Sequence, residues 1–470
     1  MTLIKSISGI RGLIDKSLNP SMIARYAQAF SLISPNHGKI LLARDTRNSG
    51  KEYIQIAFSA LKEISRKGIV VDIVPTPTAQ FEVFSKRYAG GIVFTASHNP
   101  SDWNGIKFIG PEGTFINQEV FNRLEDEFKN LSNTKFIEDL NNKQIFKNES
   151  INCINDHLLN IENLSIINKS KIKNNNFKVV VDCANGATSI ALPQFLKNLG
   201  CNVIKINSNY SENFGRSPEP TPKNLIQLCS KVTETDSDIG FATDPDGDRL
   251  SIVDNKGKAL GEEITLALSI FYVLKYFKEY RNAPIITNLS TSLISEKIAS
   301  KYNTRLMRSP VGEINVVSMM QKERALIGGE GNGGVILAES HLGRDSLVGA
   351  AIILNLISNE SLSVNELFNL LPKFYIEKST IHLTNSSIQK DNLEAIPKFK
   401  GGPRKHSNKA RIQMTGMGPS DSNWNDPHPM DSARADEVGG SKLKLTYLWR
   451  RLKEQNVDVD SLKERIHDVI

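Results

Sequence analysis

Cysteine is scarce in these 470 residues. The four present, Cys153, Cys183, Cys201 and Cys229, are scattered without the paired spacing of a metal-ligand set. That argues against a thiolate zinc module and against a disulfide-stapled fold, and the four read as free thiols in a reducing cytoplasm. Long apolar runs are missing as well. None would span a bilayer, and Met1-Thr2-Leu3-Ile4-Lys5 opens no signal peptide, so a cytoplasmic protein without a membrane partner is expected. The net charge of +7 would suit a polyanion, but basic residues are spread along the chain, with no aromatic interleaving and no nucleic-acid motif. Nucleic acid is not expected as a partner; a small phosphorylated substrate accounts for scattered Arg and Lys equally well.

Short apolar runs, by contrast, recur in a regular order. The stretch 39–43 reads as a strand, and Ile54, Ala57, Phe58, Leu61 and Ile64 then fall on one face of a helix. A strand over 69–74, a helix over 78–88 and a strand over 91–94 follow. The same unit returns within 177–206 and again within 284–308. Strands alternating with helices of this length argue for parallel, right-handed βαβ layers. A chain of this length should hold roughly three or four domains, and three similar units suggest three related ones, with an Asn- and Lys-rich join over about 130–176.

Three loops carry chemistry. The first, Thr95-Ala96-Ser97-His98-Asn99-Pro100-Ser101-Asp102-Trp103-Asn104-Gly105-Ile106-Lys107, follows the strand 91–94. Ser97 therefore sits at a strand's carboxyl end, where nucleophiles and ligands gather in open α/β sheets. Asn99-Pro100 and Asn104-Gly105 are turn signals, so the segment reads as a shaped loop carrying one Ser, one His and one Lys. Alone, such a serine is a solvated turn residue and such a lysine a solvated charge. No Gly-x-Ser-x-Gly elbow encloses Ser97, which argues against a serine hydrolase.

The second loop, Asp244-Pro245-Asp246-Gly247-Asp248-Arg249, lies between two short strands. Carboxylates at alternate positions of a tight turn can converge on one hard divalent cation, and oxygen-only ligands suit Mg²⁺ better than zinc. An EF-hand is excluded: it needs Gly at the sixth position and Glu at the twelfth, where Arg249 and Asn255 stand. The third loop, Gly328-Gly329-Glu330-Gly331-Asn332-Gly333-Gly334, holds a carboxylate and an amide on bare backbone, as partners for neighbouring hydroxyls of a pyranose.

Together these strings resemble the α-D-phosphohexomutases. Ser6-Ile7-Ser8-Gly9-Ile10-Arg11-Gly12, Ser309-Pro310-Val311-Gly312-Glu313 and His341-Leu342-Gly343-Arg344-Asp345 have counterparts there too. Most of the family shows Gly-Glu-x-Ser-Gly-His at the third loop. Asn332 and Gly334 instead resemble the phosphoglucosamine-mutase branch, as does the opening of the chain. The resemblance implies three mixed-sheet α/β domains around a central cleft, plus a smaller C-terminal α+β domain. Their bounds would be 1–150 with the serine loop, 151–258 with the metal loop, 259–375 with the sugar loop and 376–470. It implies a phosphoserine at Ser97 that exchanges its phosphoryl group with a hexose or hexosamine phosphate through a hexose 1,6-bisphosphate, which also serves as activator. Mg²⁺ would be held by Asp244, Asp246, Asp248 and Ser97. Lys107 would be the general acid/base, its pKa lowered by a neighbouring cation and partial desolvation. His98 would hydrogen-bond the serine or shape the loop. Arg249 and Arg11 would contact the phosphoserine or phosphate, and Glu330, Asn332, Gly312 and Arg344 the substrate. Glucosamine 6-phosphate is the implied substrate, and the oligomeric state is left open.

One family string is absent. The fourth domain's Arg-Pro-Ser-(Gly or Asn)-Thr-Glu-Pro loop, which grips the non-reacting phosphate, occurs nowhere, and from about Gly401 the composition turns to Gly, Pro, Asp and Arg. Residues of about 401–445 are expected not to form that domain, either as a diverged tail or through a shifted reading frame. Two other readings therefore stay open: a phosphomannomutase or phosphoglucomutase, and a non-catalytic sugar-phosphate-binding relative.

Overall fold

The apolar runs become strands buried on both faces: Leu41, Leu42 and Ala43 are fully buried, as a strand between two helical layers must be. The computed structural model describes residues 3–131, 149–382 and 409–417. The first sheet contains β1 (Ile4–Ser6), β2 (Gly9–Leu13), β3 (Ile40–Arg44), β4 (Gly68–Ile73), β5 (Gly90–Phe94) and β6 (Trp103–Ile109), in the order β1-β2-β6-β5-β3-β4. The second contains β7 (Lys178–Asp182), β8 (Asn202–Ile206), β9 (Ile239–Thr243) and β10 (Leu250–Val253), ordered β10-β9-β7-β8. The third contains β11 (Ile285–Asn288), β12 (Leu306–Ser309), β13 (Ile327–Glu330) and β14 (Gly334–Leu337), ordered β12-β11-β13-β14.

One topology is used three times. In each sheet one strand pairs in parallel with two neighbours, β3 with β4 and β5, β7 with β8 and β9, β11 with β12 and β13. A further strand then returns antiparallel: β6 on β5, β10 on β9, β14 on β13. The parallel βαβ units read from the strand–helix alternation are thus completed into the mixed sheets that the resemblance implies. The returning strands follow loops too short for a crossover helix, so they can only be antiparallel. These three connections are the serine, metal and sugar loops, each at the carboxyl end of the equivalent strand.

The short returns also fix the place of two residues. Lys107 is not in a loop but on β6, paired with Val93, and Arg11 lies on β2, paired with Gly105.

Residues 1–374 form one compact unit. Apolar side chains from all three layers, among them Val71, Ile154, Val179, Ile264, Ile285 and Leu347, share one contiguous core. The helix Ser346–Glu360 is buried almost all round, which fits an element enclosed between layers. Strands β15 (Phe374–His382) and β16 (Lys409–Met417) pair as a separate two-stranded sheet. The expectation for 401–445 falls mostly outside the described residues. Among the described residues all four cysteines are free, and no helix is long and apolar enough to cross a membrane.

Candidate active site

The serine loop is held in a backbone conformation that serine does not choose. Ser97 has φ of 52°, in the left-handed region, and is buried; such a residue costs about 1–3 kcal/mol unless its surroundings enforce it. The enforcing groups lie at the end of β3. The buried Arg47 donates to the carbonyl oxygens of Ser97 at 3.0 Å and Asn99 at 2.5 Å, and it is paired with Asp45. Asp45 accepts from Thr95 Oγ1 at 2.7 Å, and Thr95 Oγ1 accepts from the Ser97 amide at 2.9 Å. Arg11 donates to Asn99 Oδ1 at 3.3 Å, bracing the same loop from β2.

The metal loop meets Ser97 from the second layer. Ser97 Oγ donates to Asp244 Oδ2 at 3.1 Å. Three contacts fix that loop from all three layers. Ala187 N donates to Pro245 O at 2.7 Å, Thr76 N to Asp246 O at 2.8 Å and Ser346 Oγ to Gly247 O at 2.7 Å. Pro245 rests directly on Gly186, where a Cβ would lie 2.5 Å from its backbone.

Lys107 Nζ reaches Asp246 Oδ2 at 2.6 Å and Asp248 Oδ2 at 3.4 Å. Burial alone would lower its pKa, but these two carboxylates outweigh burial and hold the ammonium above the usual lysine value. The lowered pKa expected from the sequence is therefore corrected: the groups closest to Lys107 are anions. Burial together with Asp248 and Asp246 holds the Asp244 carboxyl well above the usual range. Asp246 is held below it, because Lys107 outweighs burial. His98 Nδ1 lies 3.4 Å from Ser97 Oγ. The Arg249 cation and burial hold the imidazole far below its ordinary pKa, so it stays neutral and can accept a hydrogen bond.

Whether these residues fit a divalent cation can be judged from their oxygens. Ligand oxygens of Asp244, Asp246 and Asp248 all lie within 4.8 Å of one another. Asp246 Oδ1 and Asp248 Oδ1 are buried without a hydrogen-bond partner, while Oδ2 of each is held by Lys107. In these two carboxylates one oxygen is thus anchored and the other is left for a ligand, while Asp244 accepts from Ser97 Oγ and Arg249 N. The set fits a hard cation. Arg249 lies 3.7 Å from both Asp244 and Asp248.

The sugar loop joins the network through a single side chain. Arg344 donates to Asp248 Oδ2 at 2.5 Å, Glu330 Oε2 at 2.7 Å and Glu313 Oε2 at 2.9 Å. Glu330 also accepts from Asn288 Nδ2 at 2.6 Å, Gly312 N at 3.1 Å and Asn332 Nδ2 at 3.3 Å. The candidate residues named from the sequence are thereby gathered at one place. Sequence reasoning missed Asp45, Arg47, Thr76 and Asn288. The charged string Arg44-Asp45-Thr46-Arg47 at the carboxyl end of a buried strand was the available signal for the first two.

Family models match most of the chain: phosphoglucomutase/phosphomannomutase alpha/beta/alpha domain I over residues 3–135, domain II over 155–257 and domain III over 262–375. A phosphoglucosamine/phosphogalactosamine mutase of Sulfurisphaera tokodaii is 31% identical, over 80% of this chain and 82% of its own. A phosphoglucomutase/phosphomannomutase of Thermococcus kodakarensis is 32% identical, over 80% and 81%. Among solved structures, a phosphoglucomutase/phosphomannomutase family protein from Burkholderia thailandensis superposes with a TM-score of 0.67 at 25% identity, covering 80% of this chain and 81% of that one.

Proposed function

The chain belongs to the α-D-phosphohexomutase family, in its phosphoglucosamine-mutase branch, and from that premise we propose that it interconverts glucosamine 6-phosphate and glucosamine 1-phosphate through a phosphoserine at Ser97. The observation that carries this is the contact of Ser97 Oγ with Asp244, in a network that runs on through Arg249, Asp248 and Arg344 to the sugar loop.

In this reading the Oγ–P bond of phosphorylated Ser97 breaks as a sugar hydroxyl forms its own bond to phosphorus. The hydroxyl proton leaves to Lys107 as general acid/base, which must first give up its own proton, because Asp246 and Asp248 hold it as an ammonium in the resting site. The sugar bisphosphate turns over and returns its other phosphoryl group to Ser97 Oγ. The sugar then leaves with its phosphate moved, and Ser97 is phosphorylated again. Asp244, Asp246, Asp248 and Ser97 would hold Mg²⁺, which would neutralise charge on the phosphoryl oxygens. Arg249 and Arg11 add cations on the same side, and the strained Ser97 backbone presents Oγ to the metal loop. A hexose 1,6-bisphosphate would prime unphosphorylated Ser97.

Substrate choice rests on the sugar loop and on relatives named as phosphoglucosamine mutases; a relative of 32% identity named phosphoglucomutase/phosphomannomutase supports the second reading. A coupled assay across glucosamine, glucose and mannose phosphates decides between them. Preferred turnover of glucosamine 6-phosphate is expected, and preference for mannose phosphate overturns the assignment.

A further inference from the structure

Arg344 is the one side chain that bonds carboxylates of both the metal loop and the sugar loop among the described residues. We propose that it is a positioning residue that makes cation binding and sugar-phosphate binding cooperative, an inference that rests on the function proposed above.

The first ground is saturation. An ionised carboxylate offers about four acceptor sites, and Glu330 has four donors on it: Asn288, Gly312 N, Asn332 and Arg344. A sugar hydroxyl can donate to Glu330 only when one of these turns away. Asn288 and Gly312 N share Oε1, and Arg344 and Asn332 share Oε2. Arg344 alone has other carboxylates to retain it, on Glu313 and Asp248.

The second ground is its place on Asp248. Arg344 Nη2 and Lys107 Nζ both sit on Oδ2, while Oδ1 is buried without a hydrogen-bond partner, with Arg249 Nε 3.7 Å away. A cation taken up on Oδ1 draws the charge of Asp248 and repels the guanidinium, so Nη2 is released as a donor to a ligand between the loops. By reciprocity, a sugar phosphate that engages Nη2 leaves Asp248 more negative and tightens the cation.

The third ground is that the fold makes room for this residue. The Arg344 stem lies across Gly334, where a Cβ would stand 2.2 Å from its Cδ. The backbone beside it is pinned. Asp345 accepts from Leu347 N at 2.8 Å as cap of the following helix, and its other oxygen faces His157 at 3.0 Å and His341 at 3.3 Å.

The test uses the full-length chain with Ser97 unphosphorylated. Mn²⁺ affinity is read by electron paramagnetic resonance of free Mn²⁺: alone, with glucosamine 6-phosphate, and with inorganic phosphate, which carries charge without hydroxyls. Titration calorimetry reports sugar-phosphate binding separately. The sugar phosphate is expected to tighten Mn²⁺ about fivefold or more beyond inorganic phosphate, within the usual range of coupling between sites. In Arg344→Gln that excess should fall to about twofold or less. Gly334→Ala, which displaces the stem with its charge intact, should do the same and keeps the test open if Arg344→Gln fails to fold. An excess retained in both variants, or missing in the parent while the sugar phosphate binds, overturns the coupling and leaves the function standing. No sugar-phosphate binding by the parent overturns both.

Discussion

Asp246 divides its two oxygens between tasks: Oδ2 receives Lys107 and Thr76 Oγ1, and Oδ1 is left bare in a buried place. Replacing it with Asn keeps the shape, removes one charge and leaves Lys107 without its nearest counterion. Asp246→Asn is expected to weaken Mg²⁺ binding and turnover together by at least tenfold, a change of about 1.4 kcal/mol or more, with far-UV circular dichroism unchanged. Measuring Mg²⁺ activation curves for parent and variant checks it. Activity that survives thorough chelation of the parent contradicts the metal assignment itself. At this scale the sequence is legible where a candidate side chain stands on a short loop, as those of Ser97, Asp244 and Glu330 do. It was silent where a residue acts across the fold. Arg47 holds the carbonyls of a loop some fifty positions away, and Thr76 reaches the metal loop from another layer. A charged string at the end of a strand marks Arg47 without saying what it holds, and no local pattern announces Thr76.

The hairpin-like returns β5–β6, β9–β10 and β13–β14 are the elements that build the site, each one presenting a loop at the end of a parallel strand. Their first strands and β10 were legible as apolar runs flanking Gly- and Asp-rich strings; β6 and β14 were not. Nor was the direction of the returns, because the period of a strand is the same in parallel and antiparallel pairing. Lys107 reads as a loop residue because of the turn signals Asn99-Pro100 and Asn104-Gly105, although its neighbours Ile106 and Phe108 are buried as strand residues are. The helix Ser346–Glu360 gives this scale its own prediction. Burial opposes ionisation of its cap, Asp345, but the imidazoles of His157 and His341 outweigh burial and hold the carboxyl below the usual carboxylate range. A depressed native pKa contributes stability that is present above the unfolded value of about 3.9 and is lost as pH falls through the native one. Asp345→Asn should therefore lower Tm by several degrees at pH 7, with the gap to the parent narrowing as the pH falls below about 4. Thermal melts across that range decide it; a gap independent of pH contradicts the ionic part of the account.

For the whole molecule, three copies of one topology share a core within residues 1–374, and the site lies where their loops meet. The repeat was visible in the sequence as recurring strand–helix–strand units. The convergence was not, since it depends on contacts such as Leu250 N to Gly333 O at 3.0 Å between layers. The family's phosphate-gripping string is missing beyond residue 400. Bidentate charge-assisted bonds to a phosphate are worth about 1.5–3 kcal/mol each, so KM for sugar phosphates should exceed that of relatives carrying the string by roughly 10- to 100-fold. Steady-state kinetics of the full-length chain checks this, and a KM equal to theirs contradicts it. Sequencing the coding DNA across 401–445 separates a diverged tail from a shifted reading frame.

The central claim is that Ser97 carries the phosphoryl group between the two half-reactions. Incubation with glucose 1,6-bisphosphate labelled with ³²P, followed by peptide mapping, measures this directly. The account predicts label on the peptide containing Ser97, its discharge onto added glucosamine 6-phosphate, and neither label nor turnover in Ser97→Ala. Turnover by Ser97→Ala within tenfold of the parent, or label that stays on the protein when sugar phosphate is added, would contradict it.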